Sequence, residues 1–382
     1  MSSGIAAQGT VAEGYEAVRE EFEATLAEER AGHSAQLAAY VDGQQAVDLW
    51  GGPGIEADSL TGVFSSTKGA AHLAVALLVQ DGALELDQEV RHYWPEFAAA
   101  GKQRITLREL LAHRAGLAGV DGGLTVEELA DDRLIAERLA AQRPHWRPGA
   151  AFGYHALVIG ALTGEVVRRV TGLTMQEFYE KRIRAPYGID FYMGLPEDQE
   201  HRVLDTQPMD PTPEQKRALR EGGAGPLSLR GIGFNLNHPE LTALETLPNF
   251  RVVRAGGPAS VGGMANARGL TRMYAAAISG VDGKEPLLTP DTAAEFAQIH
   301  STGYDLVLRQ QGAFALGFSA VSDTYPFLGA RAFGHSGAAG SQAFADPGRG
   351  LAFGYNRRRF AFPGGAAPEA GRLAKAVYDC AA

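Results

Sequence analysis

The chain has 382 residues, a formal net charge of −10, 48 glycines and one cysteine, and these values exclude several classes of protein. A single cysteine rules out an intramolecular disulfide framework and a thiolate metal centre. The acidic balance argues against a nucleic-acid partner, because nucleic-acid binding needs a basic face. Glycine makes up about 13% of the residues, against a usual value of about 7%, and is the unusual feature of the composition.

The N-terminal segment predicts where the protein works. Residues 1–10 lack the basic stretch followed by an apolar core that marks a secretory signal. The longest strongly apolar run, Leu73 to Val79, is too short to span a bilayer. We therefore expect a cytoplasmic protein without a membrane partner, and the sequence leaves its oligomeric state open.

The first quarter of the chain predicts a helix, a hairpin and a second helix. Apolar residues at spacings of three and four indicate a helix over about residues 11–29. Loose alternation on either side of a glycine predicts a two-stranded hairpin over residues 34–50, and a short strand is expected at residues 60–64. Residues 66–79 are apolar on most sides, which predicts a buried helix.

The middle of the chain is mainly helical in pattern, and strands return at the end. Helices are expected at residues 106–111 and 156–170, followed by a turn-rich stretch, residues 186–258, of the kind that forms lids or substrate loops. After a helix at residues 269–279, the pattern predicts four strands and a final helix that carries Lys375; the strands are residues 312–319, 330–334, 342–345 and 351–355.

Strands at both ends with helices between them predict an α+β fold. We expect one antiparallel sheet built from both chain ends, covered by the first and last helices, with a mainly helical subdomain inserted. A doubly wound parallel fold would instead alternate strand and helix throughout. The predicted sheet domain comprises residues 1–80 and 255–382, and the helical subdomain comprises residues 81–254.

The segment Ser65-Ser66-Thr67-Lys68 is the first candidate for catalysis. Ser65 and Lys68 are three residues apart at the start of a helix, so their side chains share a face. Serine needs a base to become a nucleophile, and burial would lower the pKa of Lys68 and make a neutral amine available. The alternative is that Ser65 caps the helix and Lys68 is solvated.

Two further segments are candidates for a site. Tyr154 follows a turn and precedes an apolar helix, so its hydroxyl could exchange protons with a leaving group if cations lowered its pKa; alternatively it is a core tyrosine. Small residues dominate the predicted strand that holds His335, Ser336 and Gly337, and glycine in a strand often marks a place where a ligand approaches the strand edge. Alternatively, the segment is a glycine-rich bend. Neither a phosphate loop nor a His-Glu-x-x-His motif occurs, so no metal or cofactor is expected.

These three segments, in this order, resemble the motifs of the serine β-lactamase and penicillin-binding-protein superfamily, and most closely class C β-lactamases and family VIII carboxylesterases. Residues 64–69 are similar to the nucleophile motif and residues 153–156 to the Tyr-x-Asn motif. His335-Ser336-Gly337 stands where Lys-Thr-Gly stands in β-lactamases. The resemblance covers about residues 10–380 and implies a helical subdomain beside an α/β sandwich.

The resemblance also implies roles for individual residues. Ser65 would form the acyl-enzyme, with Lys68 and Tyr154 as acid and base in a division of labour that stays open. The backbone N–H groups of Ser65 and Ala338 would form the oxyanion hole. His335-Ser336-Gly337 would bind substrate.

Two departures from the motifs bear on the substrate. Ala156 stands in place of the asparagine that helps to hold the amide of a β-lactam. His335 stands in place of the lysine that helps to recognise its carboxylate. A neutral histidine attracts an anion less, so we expect hydrolysis of small, short-chain carboxylic esters. The alternatives are a β-lactamase or D-Ala-D-Ala peptidase, an acyltransferase, and, less favoured, a non-catalytic binding protein on the same fold.

Overall fold

The computed structural model describes residues 6–29, 32–240 and 243–381, and these residues form twelve strands. In chain order the strands are β1 (Gln8–Val11), β2 (Ala35–Val41), β3 (Gln44–Gly51), β4 (Thr61–Gly62), β5 (Phe191–Tyr192), β6 (Met264–Ala265), β7 (Ser301–Tyr304), β8 (Gln311–Phe314), β9 (Ser319–Ala320), β10 (Phe333–Ser336), β11 (Gln342–Asp346) and β12 (Leu351–Arg357). The part of the N-terminal prediction that falls on residues 1–5 lies outside the described residues.

Nine strands form one antiparallel sheet in the order β1-β3-β2-β12-β11-β10-β9-β8-β7, and β4, β6 and β5 form a second, small sheet. The two ends of the chain meet where β2 pairs with β12, from Ala35 opposite Arg357 to Val41 opposite Leu351. The sheet assembled from both chain ends is thus confirmed, and with it the predicted hairpin of β2 and β3.

The helices in chain order are α1 (Glu16–Glu28), α2 (Thr67–Gln80), α3 (Val90–Tyr93), α4 (Leu107–Leu111), α5 (Val126–Leu129), α6 (Asp132–Ala141), α7 (Ile159–Thr171), α8 (Met175–Tyr179), α9 (Ala185–Tyr187), α10 (Pro213–Glu221), α11 (Leu229–Gly233), α12 (Arg251–Gly256), α13 (Ala267–Ile278), α14 (Pro290–Ala297), α15 (Val321–Thr324) and α16 (Pro368–Cys380). Helices α3 to α12 lie between the two halves of the sheet in sequence. One apolar core joins α2 to α4 and α7, so the division at residues 80 and 255 stays a prediction.

Helices cover both faces of the large sheet. On one face, α1 and α16 pack together and against the sheet, with Phe22, Leu373 and Phe353 in one buried cluster. This confirms the expectation for the first and last helices. On the other face α13 lies against β12, and the close approach requires glycine at position 354, where a Cβ would lie 2.3 Å from Thr271 Oγ1. Each large apolar side chain that is buried here stabilises the fold by about 1.5–3 kcal/mol.

The structure differs from the sequence predictions at several element ends. The strand expected over residues 312–319 is two strands, β8 and β9, because the chain turns where Ala315 N–H donates to Phe318 O and Gly317 adopts a φ of +78°. The first helix begins at Glu16, after the turn at Gly14, and the residues before it form the edge strand β1. Across the described part of the chain, no helix combines the length and apolarity needed to cross a membrane.

Candidate active site

Ser65 lies in a tight turn between β4 and α2. A short 3-10 helix, Phe64–Ser66, leads directly into α2, and Ser65 is half-buried there. Phe64 has a φ of +47°, which is uncommon for a bulky residue and costs on the order of 1–3 kcal/mol. Its ring packs edge-on against Phe360 at a centroid distance of 5.5 Å, and this burial holds the turn. The strained turn therefore presents the Ser65 hydroxyl at a fixed place.

The amine of Lys68 is completely buried and has three partners. Lys68 Nζ lies 3.1 Å from Ser65 Oγ, 2.7 Å from Ala156 O and 2.9 Å from Ser260 O. Burial lowers the pKa of Lys68 well below its ordinary value. A neutral amine has two N–H bonds and one lone pair, and carbonyl oxygens can only accept. The two carbonyls therefore take both N–H bonds, and the lone pair is left for the Ser65 hydroxyl.

Tyr154 lies beside Lys68, in the irregular segment before α7. Its ring centroid is 4.8 Å from Lys68 Nζ, and its ring stacks on Phe314 at 5.5 Å. Burial raises the pKa of Tyr154 above its ordinary value, and a hydrogen bond with Ser65 opposes this only in part. The lowered pKa that a cationic neighbour would give Tyr154 is therefore not found, and the phenol keeps its proton at neutral pH.

His335 is a neutral hydrogen-bond acceptor in this structure. Its Nδ1 lies 2.8 Å from Ser336 O, and because a carbonyl can only accept, Nδ1 carries the proton. Burial is the main cause that lowers the pKa of His335 to about 3. Its Nε2 therefore accepts from the Tyr154 hydroxyl at 3.4 Å. Tyr154 and His335 are thus brought together, and the position of the β-lactamase lysine holds an uncharged ring.

The end of β10 is tied to the turn that carries Ser65. Ser66 Oγ lies 3.2 Å from His335 O and 2.9 Å from Ser341 Oγ, and Ser341 Oγ donates to Val63 O at 3.1 Å. Gly337 fits against the same turn, because a Cβ there would lie 2.1 Å from Val63 O. These contacts keep the strand and the turn in a fixed relation.

The two backbone N–H groups predicted to form the oxyanion hole belong to Ser65 and Ala338. Ala338 packs partly exposed against Phe64, and within the described residues its N–H donates to no acceptor. Ser65 lies in the first turn of a helical segment, where backbone N–H groups lack helical partners. Ala338 follows Gly337, which packs against this turn, and the role of the two N–H groups as oxyanion donors stays a prediction.

Sequence reasoning missed several residues that support this arrangement. Asp305 accepts hydrogen bonds from Tyr154 N–H, Ser260 accepts from Lys68, and Phe314 stacks on Tyr154. These partners are more than 100 residues apart in the sequence; Asp305 and Tyr154, for example, are separated by 151 positions. No local pattern could have linked them.

The aromatic residues of the turn-rich stretch have different surroundings. Phe234 lines a cavity of about 350 Å³ together with Leu219, Leu236 and Phe362. Phe191 and Tyr192 are instead buried in apolar clusters. The Tyr187 hydroxyl donates to Glu285 O, and the Phe250 side chain is exposed. Local packing therefore explains Phe191 and Tyr192.

Comparison with known proteins defines the class. The Beta-lactamase family model matches residues 19–377. The chain belongs to the β-lactamase family and is a serine hydrolase of that fold, which confirms the resemblance seen in the motifs.

Individual relatives lie in the esterase branch. The structure of EstA from Arthrobacter nitroguajacolicus Rue61a is 44% identical, with a TM-score of 0.90 over 98% of each chain. A family VIII carboxylesterase structure is 32% identical, with a TM-score of 0.86 over 98% of this chain and 99% of that one. The esterase/β-lactamase LipL of Mycobacterium tuberculosis is 31% identical over 339 residues, which is 86% of this chain and 77% of LipL.

Proposed function

We propose that this protein is a carboxylesterase that works through an acyl-enzyme on Ser65. The observation that carries the proposal is the buried Lys68 amine, held by two carbonyl oxygens with its third partner the Ser65 hydroxyl. The contacts and the lowered pKa support Lys68 as the base that takes the Ser65 proton. The relatives named as esterases support an ester substrate.

The proton inventory of the site supports a complete acylation step. Ser65 Oγ bonds to the ester carbonyl carbon while its proton passes to Lys68. The N–H groups of Ser65 and Ala338 stabilise the oxyanion, and losing one such donor costs on the order of 3 kcal/mol in the transition state. Tyr154, whose raised pKa keeps it protonated, gives its proton to the departing alkoxide. The Lys68 ammonium then returns the proton to the phenolate, and water releases the acyl group by the same route in reverse.

The electrostatics of the site support an uncharged substrate. His335 is neutral, and position 156 contributes a backbone carbonyl to Lys68 in place of a side-chain amide to the ligand. A carboxylate such as that of a β-lactam would meet no fixed cation at position 335. We therefore propose small, neutral, short-chain esters as substrates, while the cytoplasmic location stays a prediction from the sequence.

Covalent labelling tests the nucleophile. A serine-directed phosphonate should label the peptide that ends at Lys68, and fragmentation should place the label on Ser65. The neighbouring hydroxyl provides a matched control, because Ser66 Oγ points to His335 O and Ser341 Oγ. Ser65→Ala should abolish labelling and esterase activity, whereas Ser66→Ala should still be labelled. Labelling that depends on Ser66, or full activity in Ser65→Ala, would refute the mechanism.

Substrate competition tests the reaction. Nitrophenyl acetate and butyrate should be turned over faster than a chromogenic cephalosporin, and faster turnover of the cephalosporin would establish the β-lactamase alternative. Products should be analysed with an added alcohol as acceptor. Free acid as the main product supports hydrolysis, and a new ester as the main product would identify an acyltransferase.

A further inference from the structure

We propose that Asp305 is the residue that positions Tyr154 for proton donation, by holding its backbone N–H from the loop that follows β7. The inference rests on the proposed function, in which Tyr154 protonates the leaving alkoxide. It adds a residue 151 positions away that no motif of the sequence indicates.

The carboxylate of Asp305 is fully buried and bonded to backbone N–H groups. Its Oδ2 and Oδ1 lie 3.0 and 3.2 Å from Tyr154 N, and Oδ1 also accepts from Val307 N and Leu308 N, each at 2.8 Å. Among the described residues no lysine, arginine or histidine forms an ion pair with it. Burial raises the pKa of Asp305, and the three N–H donors and the charge of Arg230 oppose this only in part. The carboxylate of Asp305 therefore binds the backbone of its own loop and that of Tyr154 at the same time.

Tyr154 needs such an anchor because it lies outside any helix or strand. The preceding residue is held by Gly153 N–H donating to His113 O at 3.1 Å, and the next by His155 N–H donating to His113 Nδ1 at 3.1 Å. The N–H of Tyr154 itself is held by Asp305. Removing the carboxylate would leave one buried N–H without a partner at the centre of this segment.

The same hairpin also fixes the ring. Asp305 lies between β7 and β8, and Phe314 at the end of β8 stacks on the Tyr154 ring with an interplanar angle of 7°. Leu306 N–H donates to Phe152 O at 3.2 Å, and a Cβ at Gly153 would lie 3.0 Å from Val307 Cγ2. Backbone and ring are thus positioned by one element, so that a shift of the loop would move the phenol hydroxyl away from the leaving group.

The dependence of the rate on the leaving group tests this role. A nitrophenolate leaves without a proton, whereas the alkoxide of an ethyl ester needs one from a general acid. We expect Asp305→Ala to lower kcat/KM for ethyl acetate by about 100-fold and for nitrophenyl acetate by no more than about threefold. Asp305→Asn keeps only one acceptor oxygen for the three N–H groups, so it should show a smaller loss with the same selectivity, about tenfold for ethyl acetate and little for nitrophenyl acetate. Tyr154→Phe supplies the reference for complete loss of the acid.

Asp346 offers a matched control elsewhere in the sheet. It is also fully buried, and its carboxylate accepts from two backbone N–H groups, those of Gly329 and Gly348. Asp346→Ala should lower stability but change both esters by the same factor. If Asp305→Ala does not fold, the ratio of the two rates in Asp305→Asn against Asp346→Asn decides the question.

The outcomes distinguish failure of the positioning role of Asp305 from failure of the proposed function. Equal losses on both esters in the Asp305 variants, with Ser65→Ala inactive and Tyr154→Phe selective for the ethyl ester, would overturn the positioning role alone. If Ser65→Ala stays active, or Tyr154→Phe shows no preference between the esters, the proposed function itself fails. A selective loss of ethyl acetate activity in Asp305→Ala supports the inference.

Discussion

Buried neutral histidines around the candidate site predict that the protein is unstable in acid. His72, His155 and His335 have at most 3% of their surface exposed. Burial is the main cause that lowers their pKa values from 6.5 to about 3, about 4 and about 3 respectively. In the unfolded chain the same rings are expected to titrate near 6.5. Between these values the unfolded state binds more protons than the native state.

The sign and size of the effect follow from linkage. Where the unfolded state binds more protons, stability rises with pH, so the contribution of each ring is complete above about pH 6.5 and is lost as pH falls towards 4 or 3. The contribution of each ring to the free energy of unfolding is about 2 kcal/mol smaller at pH 5 than at pH 8, so the three rings together lower it by about 6 kcal/mol. Burial raises the pKa of Asp132 to about 6, so for this group the native state binds more protons than the unfolded state. Asp132 therefore raises the free energy of unfolding by about 1 kcal/mol between pH 8 and pH 5.

The loss from these four groups, about 5 kcal/mol, is comparable with the whole stability of many domains. Urea unfolding, followed by the fluorescence of the three tryptophans, measures it at pH 8 and pH 5. His72→Leu is the informative variant, because within the described part of the chain neither ring nitrogen of His72 forms a hydrogen bond of normal geometry. The variant should lose about 2 kcal/mol less than the wild type between the two pH values. Identical losses in the two proteins would refute the assignment of acid instability to these rings.

Three further substitutions test separate parts of the structure. Lys68→Met should lower kcat for nitrophenyl acetate by at least about 10²-fold, because the base is lost while the buried volume is kept; near wild-type kcat would exclude Lys68 as the base. Arg357→Met should lower the free energy of unfolding by about 3–5 kcal/mol, since it leaves the buried Glu369 carboxylate without its cation; a loss below 1 kcal/mol would contradict this. Gly337→Ala should give a protein with a lower melting temperature and little activity, because its Cβ meets Val63 O; unchanged melting and turnover would show that the turn can move.

Much of the fold could be predicted because its signals are local. The hairpin of β2 and β3 follows from alternation around a turn, and the burial of α2 follows from its apolar residues on every side. The edge strand β1 and the outer strand β7 were not predicted. Both are four residues long, and both are only partly buried. Short strands of this kind form because a neighbouring strand offers hydrogen-bond partners. The residues of that neighbouring strand can be distant in the sequence, so the local pattern does not reveal them.

The candidate site divides in the same way. The contact between Lys68 and Ser65 spans three residues, so the start of a helix was enough to predict it. The contacts of Lys68 with Ala156 and Ser260 span 88 and 192 residues. Those two carbonyls determine the direction of the amine's lone pair. Every residue has a backbone carbonyl, so the sequence does not show which carbonyls will contact Lys68. Sequence could therefore indicate which groups react, whereas the proton inventory needed the structure.

Three glycines allow elements around the candidate site to pack closely. A ligand lying along the backbone would require glycines that face open space. Gly337 instead faces Val63 O, Gly354 faces Thr271 Oγ1, and a Cβ at Gly69 would lie 2.3 Å from the Tyr274 hydroxyl. These contacts join β10 to the turn of Ser65, β12 to α13, and α2 to α13. The missing side chains let β10, β12, α13 and α2 come close together around the turn that carries Ser65.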